Sequence, residues 1–429
     1  MKGTLRRALG WLHPGLKVKR WLLLLIVGLA ALSFGTLLIA NLTVFDLIGS
    51  LGGPQQATEL GIVAVIVGLL IVAIGLRQLV RSVASALHPE AGSRLVDLML
   101  NQRRLQIGPR VVAIGGGTGM STILRGLKEY TTNITAVATV ADDGGSSGRL
   151  RENMNVPAPG DIRNCLVALA DAEPLMTELF QYRFNGQAEG LDGHSFGNLL
   201  IAALTEITGD FELAIRETSR VLAIRGRVFP PTGDSVALCA RMKDGEVVRG
   251  ESAITAAGKQ IDYVYMDPSH PTGIPEVTKA IEEADLIVIG PGSTFTSVIP
   301  NLLVPELLTA AVASKATKVF ICNIMTQPGE TAGFSASDHI EAISRHTDEL
   351  PFDYVLMNSA PIDESVLERY RATGADAVEP DYTEVARMGV IPVRAELVSL
   401  LPDGWVRHDA RAVADRLMEL LEERSPMIV

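Results

Sequence analysis

The chain has 429 residues, 47% of them hydrophobic, with a formal net charge of −11, enough for a large core and two or three structural units. The charge divides sharply: residues 1–110 carry 12 Lys/Arg against 4 Asp/Glu, whereas residues 111–429 carry 26 against 45. An acidic body of that kind excludes general nucleic-acid binding, which needs a basic face. Three scattered cysteines, Cys165, Cys239 and Cys322, exclude a disulfide framework and suit a reducing compartment.

Two charge-free apolar runs come first, Trp21 to Ala40 and Leu60 to Leu76. Each is long enough, as a helix, to cross a hydrocarbon core of about 30 Å. The first run is too long for the apolar core of a signal peptide and lacks a convincing cleavage site. Lys2, Arg6, Arg7, Lys17, Lys19 and Arg20 precede the first run, and Arg77, Arg81, Arg94, Arg103 and Arg104 follow the second. Residues 41–59 between the runs contain no Lys or Arg. That asymmetry predicts a hairpin in a cell membrane with both termini, and the acidic domain, on the cytoplasmic side. The basic flanks suit an anionic leaflet. The expected organisation is a transmembrane hairpin over residues 1–80, a juxtamembrane linker over 81–109 and an α/β domain over 110–429. Within the linker, His88-Pro89 and Ala91-Gly92-Ser93 act as breaks, and Leu95, Leu98 and Met99 suggest a short amphipathic helix.

From Arg110 the pattern becomes strand, glycine loop, helix. Short β-branched runs at Arg110–Ile114, Ile134–Val140, Leu286–Ile289, Lys318–Ile321 and Asp353–Met357 read as buried parallel strands. Helical patterns follow at Ser121–Tyr130, Glu306–Ser314 and Ala336–Arg345. The fold class is therefore α/β, a doubly wound Rossmann-like parallel sheet. Ser235–Met242 and Glu246–Ile254, joined by Asp244-Gly245, predict a β-hairpin insertion.

The chemistry-bearing residues sit in loops after strands. Gly115-Gly116-Gly117-Thr118-Gly119-Met120 ends a strand and opens a helix, where free N–H groups can meet a phosphate. It is neither a strict dinucleotide fingerprint, since Met120 stands at the third glycine position, nor a P-loop, since the lysine is missing. Asp142 and Asp143 open a second loop that continues through Ser146, Ser147 and Arg149. Asp142 suits a ribose hydroxyl, while Asp143 could hold Mg²⁺ against phosphates; a capped, solvated turn is the plainer alternative. Asp161 is a plausible N-cap ahead of Arg163 and Asn164, and His194 is a weak candidate in the loop before Asn198. Gly290-Pro291-Gly292-Ser293-Thr294-Phe295-Thr296-Ser297, with its glycines, backbone amides and four hydroxyls, makes a second phosphate or sugar cradle. Asn323, Thr326 and Gln327 offer amides and a hydroxyl to a base edge or sugar. No residue stands out as a covalent nucleophile.

In these segments the chain resembles the YvcK/CofD-like family: AIGGGTGMSTILRGLK, ATVADDGGSSGRLR, PAPGDIRNCLVALAD, GHSFGNLLIAALTE, IGPGSTFTSVIPNLLV and CNIMTQPGETAGFS. The CofD branch implies a 2-phospho-L-lactate transferase joining a guanylated phospholactate to a deazaflavin alcohol, with release of GMP. The YvcK branch implies a gluconeogenesis factor that binds UDP-sugars such as UDP-N-acetylglucosamine and supports cell shape and wall growth. DYVYMDPSHPTGIPEV and VALCARMKDGEVVRGESAI look closer to the second branch. The resemblance implies ligand contacts at Gly116, Gly117, Thr118, Gly119, Asp142, Asp143, Ser146, Ser147, Arg149, Asn198, Gly290, Pro291, Gly292, Ser293, Thr294, Asn323, Thr326 and Gln327. A nucleotide sugar or dinucleotide is the expected small-molecule partner, alongside the membrane. A homodimer and cell-wall synthesis proteins are the expected macromolecular ones. The N-terminal hairpin departs from the soluble members of that family.

Overall fold

The computed structural model describes residues 18–39, 54–87 and 95–424, apart from 155, 172–173, 186–189 and 402. The expected loop between the spans lies mostly outside these residues, as do the breaks at 88–94. Two compact units form, Met1–Arg103 and Arg104–Val429.

In the first unit, helices Val18–Ile39 and Pro54–Leu87 pack side by side. Their segments Arg20–Ile39 and Thr58–Leu79 are each long and apolar enough to cross a membrane. Gly28 and Gly35 on one helix face Gly61, Gly68 and Gly75 on the other. A Cβ on Gly35 would lie 2.8 Å from the Gly61 carbonyl oxygen, and one on Gly68 would lie 2.8 Å from the Leu32 nitrogen. The helices thus meet backbone to backbone, the kind of contact that joins helices in lipid, where apolar burial alone gives little drive. Leu23, Ile26, Leu29, Ile62, Val63 and Ile66 point outward from the pair.

In the second unit the strands, numbered along the chain, are β1 (Val111–Gly115), β2 (Ile134–Ala138), β3 (Arg227–Phe229), β4 (Ala237–Met242), β5 (Val247–Arg249), β6 (Ile261–Asp267), β7 (Leu286–Ile289), β8 (Thr317–Ile321), β9 (Tyr354–Asn358), β10 (Ile391–Ala395), β11 (Val398–Leu400) and β12 (Val406–His408). Seven make one parallel sheet in the order β10-β9-β8-β7-β1-β2-β3. The chain winds outward from β1 to β3 and then from β7 to β10 on the other side, so the order reverses between β1 and β7. Ligands in open α/β sheets bind at such a switch point. Alternation divides the central strands between two cores: Val112, Ile114, Ile287 and Ile289 face one, and Val111, Ala113, Leu286 and Val288 face the other. Burial on both faces explains why these strands read as continuous apolar runs.

The expected hairpin is present as β4–β5, extended by antiparallel β6 into a three-stranded sheet. Its second arm is shorter than Glu246–Ile254, because Gly250 adopts a φ of 98° and helix Glu251–Ala257 begins directly after it. The first helix of the sheet domain starts at Gly117 rather than Ser121, since the loop glycines themselves form its first turn. Strand β10 gave no signal because Pro392 argues against a strand; an edge position, with one side unpaired, accommodates it.

Candidate functional site

Three loops meet at the switch point. Residues 116–119 leave β1 and enter helix Gly117–Leu127, and residues 290–297 leave β7 and enter a single π turn, Thr294–Val298. A Cβ on Gly119 would lie 2.7 Å from the Pro291 carbonyl oxygen, so only glycine lets the two backbones touch here. Ser293 caps the π turn, accepting from the Thr296 N–H at 3.2 Å, and donates to Glu330. From the loop after β8, the Asn323 Nδ2 donates to the Gly292 carbonyl at 2.8 Å and ties the third loop to the second. Together they wall a cavity of about 460 Å³.

Gly116, Gly117, Thr118, Gly119, Pro291, Gly292, Ser293, Asn323, Thr326 and Gln327 all line that cavity. Gly290 and Thr294 do not; Thr294 is buried behind the wall. Two helix-type N-termini, at Gly117 and Thr294, open on one space, an arrangement that favours phosphate, although the Gly117, Thr296 and Ser297 N–H groups already donate to Asp161, the Ser293 hydroxyl and the Ser293 carbonyl. The Thr326 hydroxyl is already engaged with the Asp376 N–H at 2.9 Å. The Gln327 Oε1 is buried and has no hydrogen-bond partner, an acceptor left for a ligand N–H or O–H.

The remaining candidates form a neighbouring region. Asp142 accepts from the Gly144 N–H at 2.8 Å and hydrogen-bonds Glu251. Asp143 instead accepts from the Ser252 N–H at 2.8 Å and so caps helix Glu251–Ala257. Asp161 is not the N-cap its sequence context suggests; that position belongs to Pro159. Its carboxylate reaches back to the Gly117 N–H and lies where a Cβ on Gly116 would be 2.4 Å from Oδ2. Ser146 and Ser147 both accept from the Asn198 Nδ2, at 3.2 and 3.4 Å, and Ser146 also meets the His194 Nδ1 at 3.1 Å. Arg149 donates to the Asp192 carbonyl at 2.6 Å. Arg163, buried, donates to Ser195 and Asn164.

Sequence reasoning passed over Glu251, Thr255, Glu330, Tyr370, Arg407 and His408, all of which line the cavity. Glu251 was hidden inside an apparent strand, and Glu330 stood unremarked within the loop after β8. Arg407 and His408 arrive on β12, which carried no signal at all. Burial pushes the Glu251 carboxyl up to about 8, helped by the hydrogen bond and charge of Asp142. Burial likewise raises Asp161 to about 6, with Asp142 adding to it. Burial raises Glu330 too, against the opposing hydroxyls of Ser293, Thr255 and Thr296. It lowers His408 to about 4, so that its imidazole is neutral. At neutral pH Glu251 is therefore a neutral donor, and the cavity repels phosphate less than its formula suggests. Among the described residues no group of three His, Cys, Asp or Glu side chains is arranged to hold a metal ion. Asp143, the residue suggested for Mg²⁺, spends one carboxylate oxygen on the helix cap.

Residues 111–398 match the family model described as 2-phospho-L-lactate transferase CofD. The chain belongs to the CofD family. The gluconeogenesis factor of Bacillus subtilis is 48% identical to this family member over 315 residues, 73% of this chain and 99% of its own. A relative from Nostoc sp., provisionally named a gluconeogenesis factor, is 46% identical over 418 residues, 95% of this chain and 91% of its own. A crystal structure of a Bacillus halodurans protein, 48% identical, aligns with a TM-score of 0.71 over 72% of this chain and 99% of that one. The CofD-family match ends at residue 398, so β12 lies beyond it.

Proposed function

We propose that this chain is a gluconeogenesis factor that binds a nucleotide sugar of the UDP-N-acetylglucosamine kind. In this reading it is held at the cytoplasmic face of a membrane by its N-terminal hairpin and couples carbon metabolism to wall synthesis and cell shape. The observation that carries the reading is the cavity itself: two N-terminal amide cradles face one space, and Gln327 supplies a buried, unpartnered acceptor beside them. A diphosphate fits the amides, and the N–H of a uracil edge or the hydroxyls of a sugar fit the amide oxygen. The names of the relatives favour the gluconeogenesis reading over catalysis. Calorimetry on the full chain with UDP-N-acetylglucosamine, UDP-glucose, NAD and GDP tests it. Saturable binding of a uridine nucleotide is expected, and binding of none would overturn it.

A second reading is a phospho-group transferase, favoured by the Asp142–Glu251 pair, in which a carboxylate and a carboxylic acid share a hydrogen bond beside the cradle. An acceptor hydroxyl would attack the phosphorus of a guanylated phospho-acid and form a new P–O bond. The P–O bond to GMP would break, and the hydroxyl proton would pass to Asp142. Release of GMP with a deazaflavin alcohol as acceptor would decide for this reading.

A further inference from the structure

On helix Leu95–Ile107, residues Leu100, Arg103, Arg104 and Ile107 are all exposed, and their i, i+3, i+4, i+7 spacing puts them on one face. Leu100 is 62% exposed and Ile107 75%, with an arginine on either side of the line joining them. The other side is fastened down. Leu105 is buried, and its carbonyl accepts from the Thr132 N–H at 3.0 Å. The Asn133 Nδ2 donates to the Gln106 and Gly108 carbonyls at 2.9 and 2.8 Å. The end of this helix is thus fixed to the α/β unit while an apolar face with basic flanks remains uncovered.

Seven residues, 88–94, separate it from helix Pro54–Leu87, which contains the second apolar segment. Such a tether reaches at most roughly 25 Å. Residues 111–429 carry 26 Lys/Arg against 45 Asp/Glu, so an anionic surface would repel that body as a whole.

We propose that the face formed by Leu100, Arg103, Arg104 and Ile107 docks on the anionic leaflet of the membrane that the hairpin crosses. This rests on the membrane reading above. The two aliphatic side chains enter the boundary between headgroups and acyl chains, and the two guanidinium groups take lipid phosphates. The contact offsets the repulsion of the acidic domain.

The test uses the full chain in nanodiscs of phosphatidylcholine, with and without phosphatidylglycerol. An environment-sensitive label is placed at Ile107→Cys, with Ile207→Cys, an isoleucine 78% exposed on helix Phe196–Thr208, as the matched control. The native cysteines are buried, so the new thiol takes the label. In anionic discs a water-soluble quencher is expected to reach position 107 several-fold less than position 207. Arg103→Glu with Arg104→Glu should restore quenching to the control level. Equal quenching at the two positions in anionic discs overturns the docking alone, as does protection that survives the charge reversal. Protection in detergent that disappears on dilution assigns the face to a second copy and overturns it as well. A chain that fails to stay with the discs sinks the membrane reading and this inference together.

Discussion

The cradle of the β1, β7 and β8 loops and the adjoining Asp142–Asn198 region are both polar and glycine-rich, yet they treat their hydrogen-bonding groups differently. The cradle leaves backbone amides and the Gln327 oxygen facing a cavity. The second region turns mostly inward: Ser146, Ser147, His194, Ser195, Arg163 and Asn198 bond mainly to one another, leaving only the Asn198 Oδ1 and the Arg163 Nε buried without a partner among them, and Asp143 is a helix cap. Similar composition therefore does not mean similar readiness for a ligand. What separates the regions is where the donors and acceptors point once the local fold has taken its share.

The largest expected effect sharpens that contrast at its tightest point. Gly119→Ala drives a methyl against the Pro291 carbonyl and should cost about 1 to 3 kcal/mol of stability while prising the cradle open. Thermal melting and calorimetry on the same protein should show both losses; unchanged binding would mean that the close approach of the loops does not shape the site. The adjacent acids come next. Asp142→Asn should weaken nucleotide-sugar binding by about 1 to 3 kcal/mol with little change in melting. Asp143→Asn should instead lower stability by about 1 kcal/mol through loss of the cap and leave affinity near wild type. Equal effects of the two on binding would erase the distinction between the acid bonded to cavity-lining Glu251 and the acid that only caps a helix.

A smaller effect concerns pH. The folded-state value of Glu251, about 8, lies above its ordinary 4.5, so its contribution to stability is complete below pH 4.5 and is lost as pH rises through about 8. Glu251→Gln, which carries no such penalty, should gain in melting temperature relative to wild type across that window. Ligand affinity of the wild type should fall over the upper part of it, as a second negative charge develops beside the phosphates. A constant difference between the two proteins from pH 5 to pH 9 would contradict the assignment.

Most of the sheet was legible because strands buried on both faces are written as unbroken apolar runs, and β1, β2, β7, β8 and β9 all read that way. The two apolar helices were legible for the same reason, but the five glycines at seven-residue spacing that join them were not, since nothing in one helix names its neighbour. In the site, the loops after β1, β7 and β8 announced themselves through glycine and hydroxyl content. Glu251, Arg407 and His408 did not, because they reach the cavity by long-range folding: one follows the hairpin insertion, and two ride on a three-residue strand near the C-terminus. Asp161 was recognised as polar and placed wrongly as a cap; only the tertiary contact with Gly117 reveals its use.

The most direct test of the central claim is amide hydrogen exchange on the full chain with and without saturating UDP-N-acetylglucosamine. Slowed exchange is expected at residues 118–119 and 292–293, which line the cavity at the two helix-type N-termini, and little change at 195–198. Saturable binding that leaves both cradles unprotected would place the ligand elsewhere and contradict it.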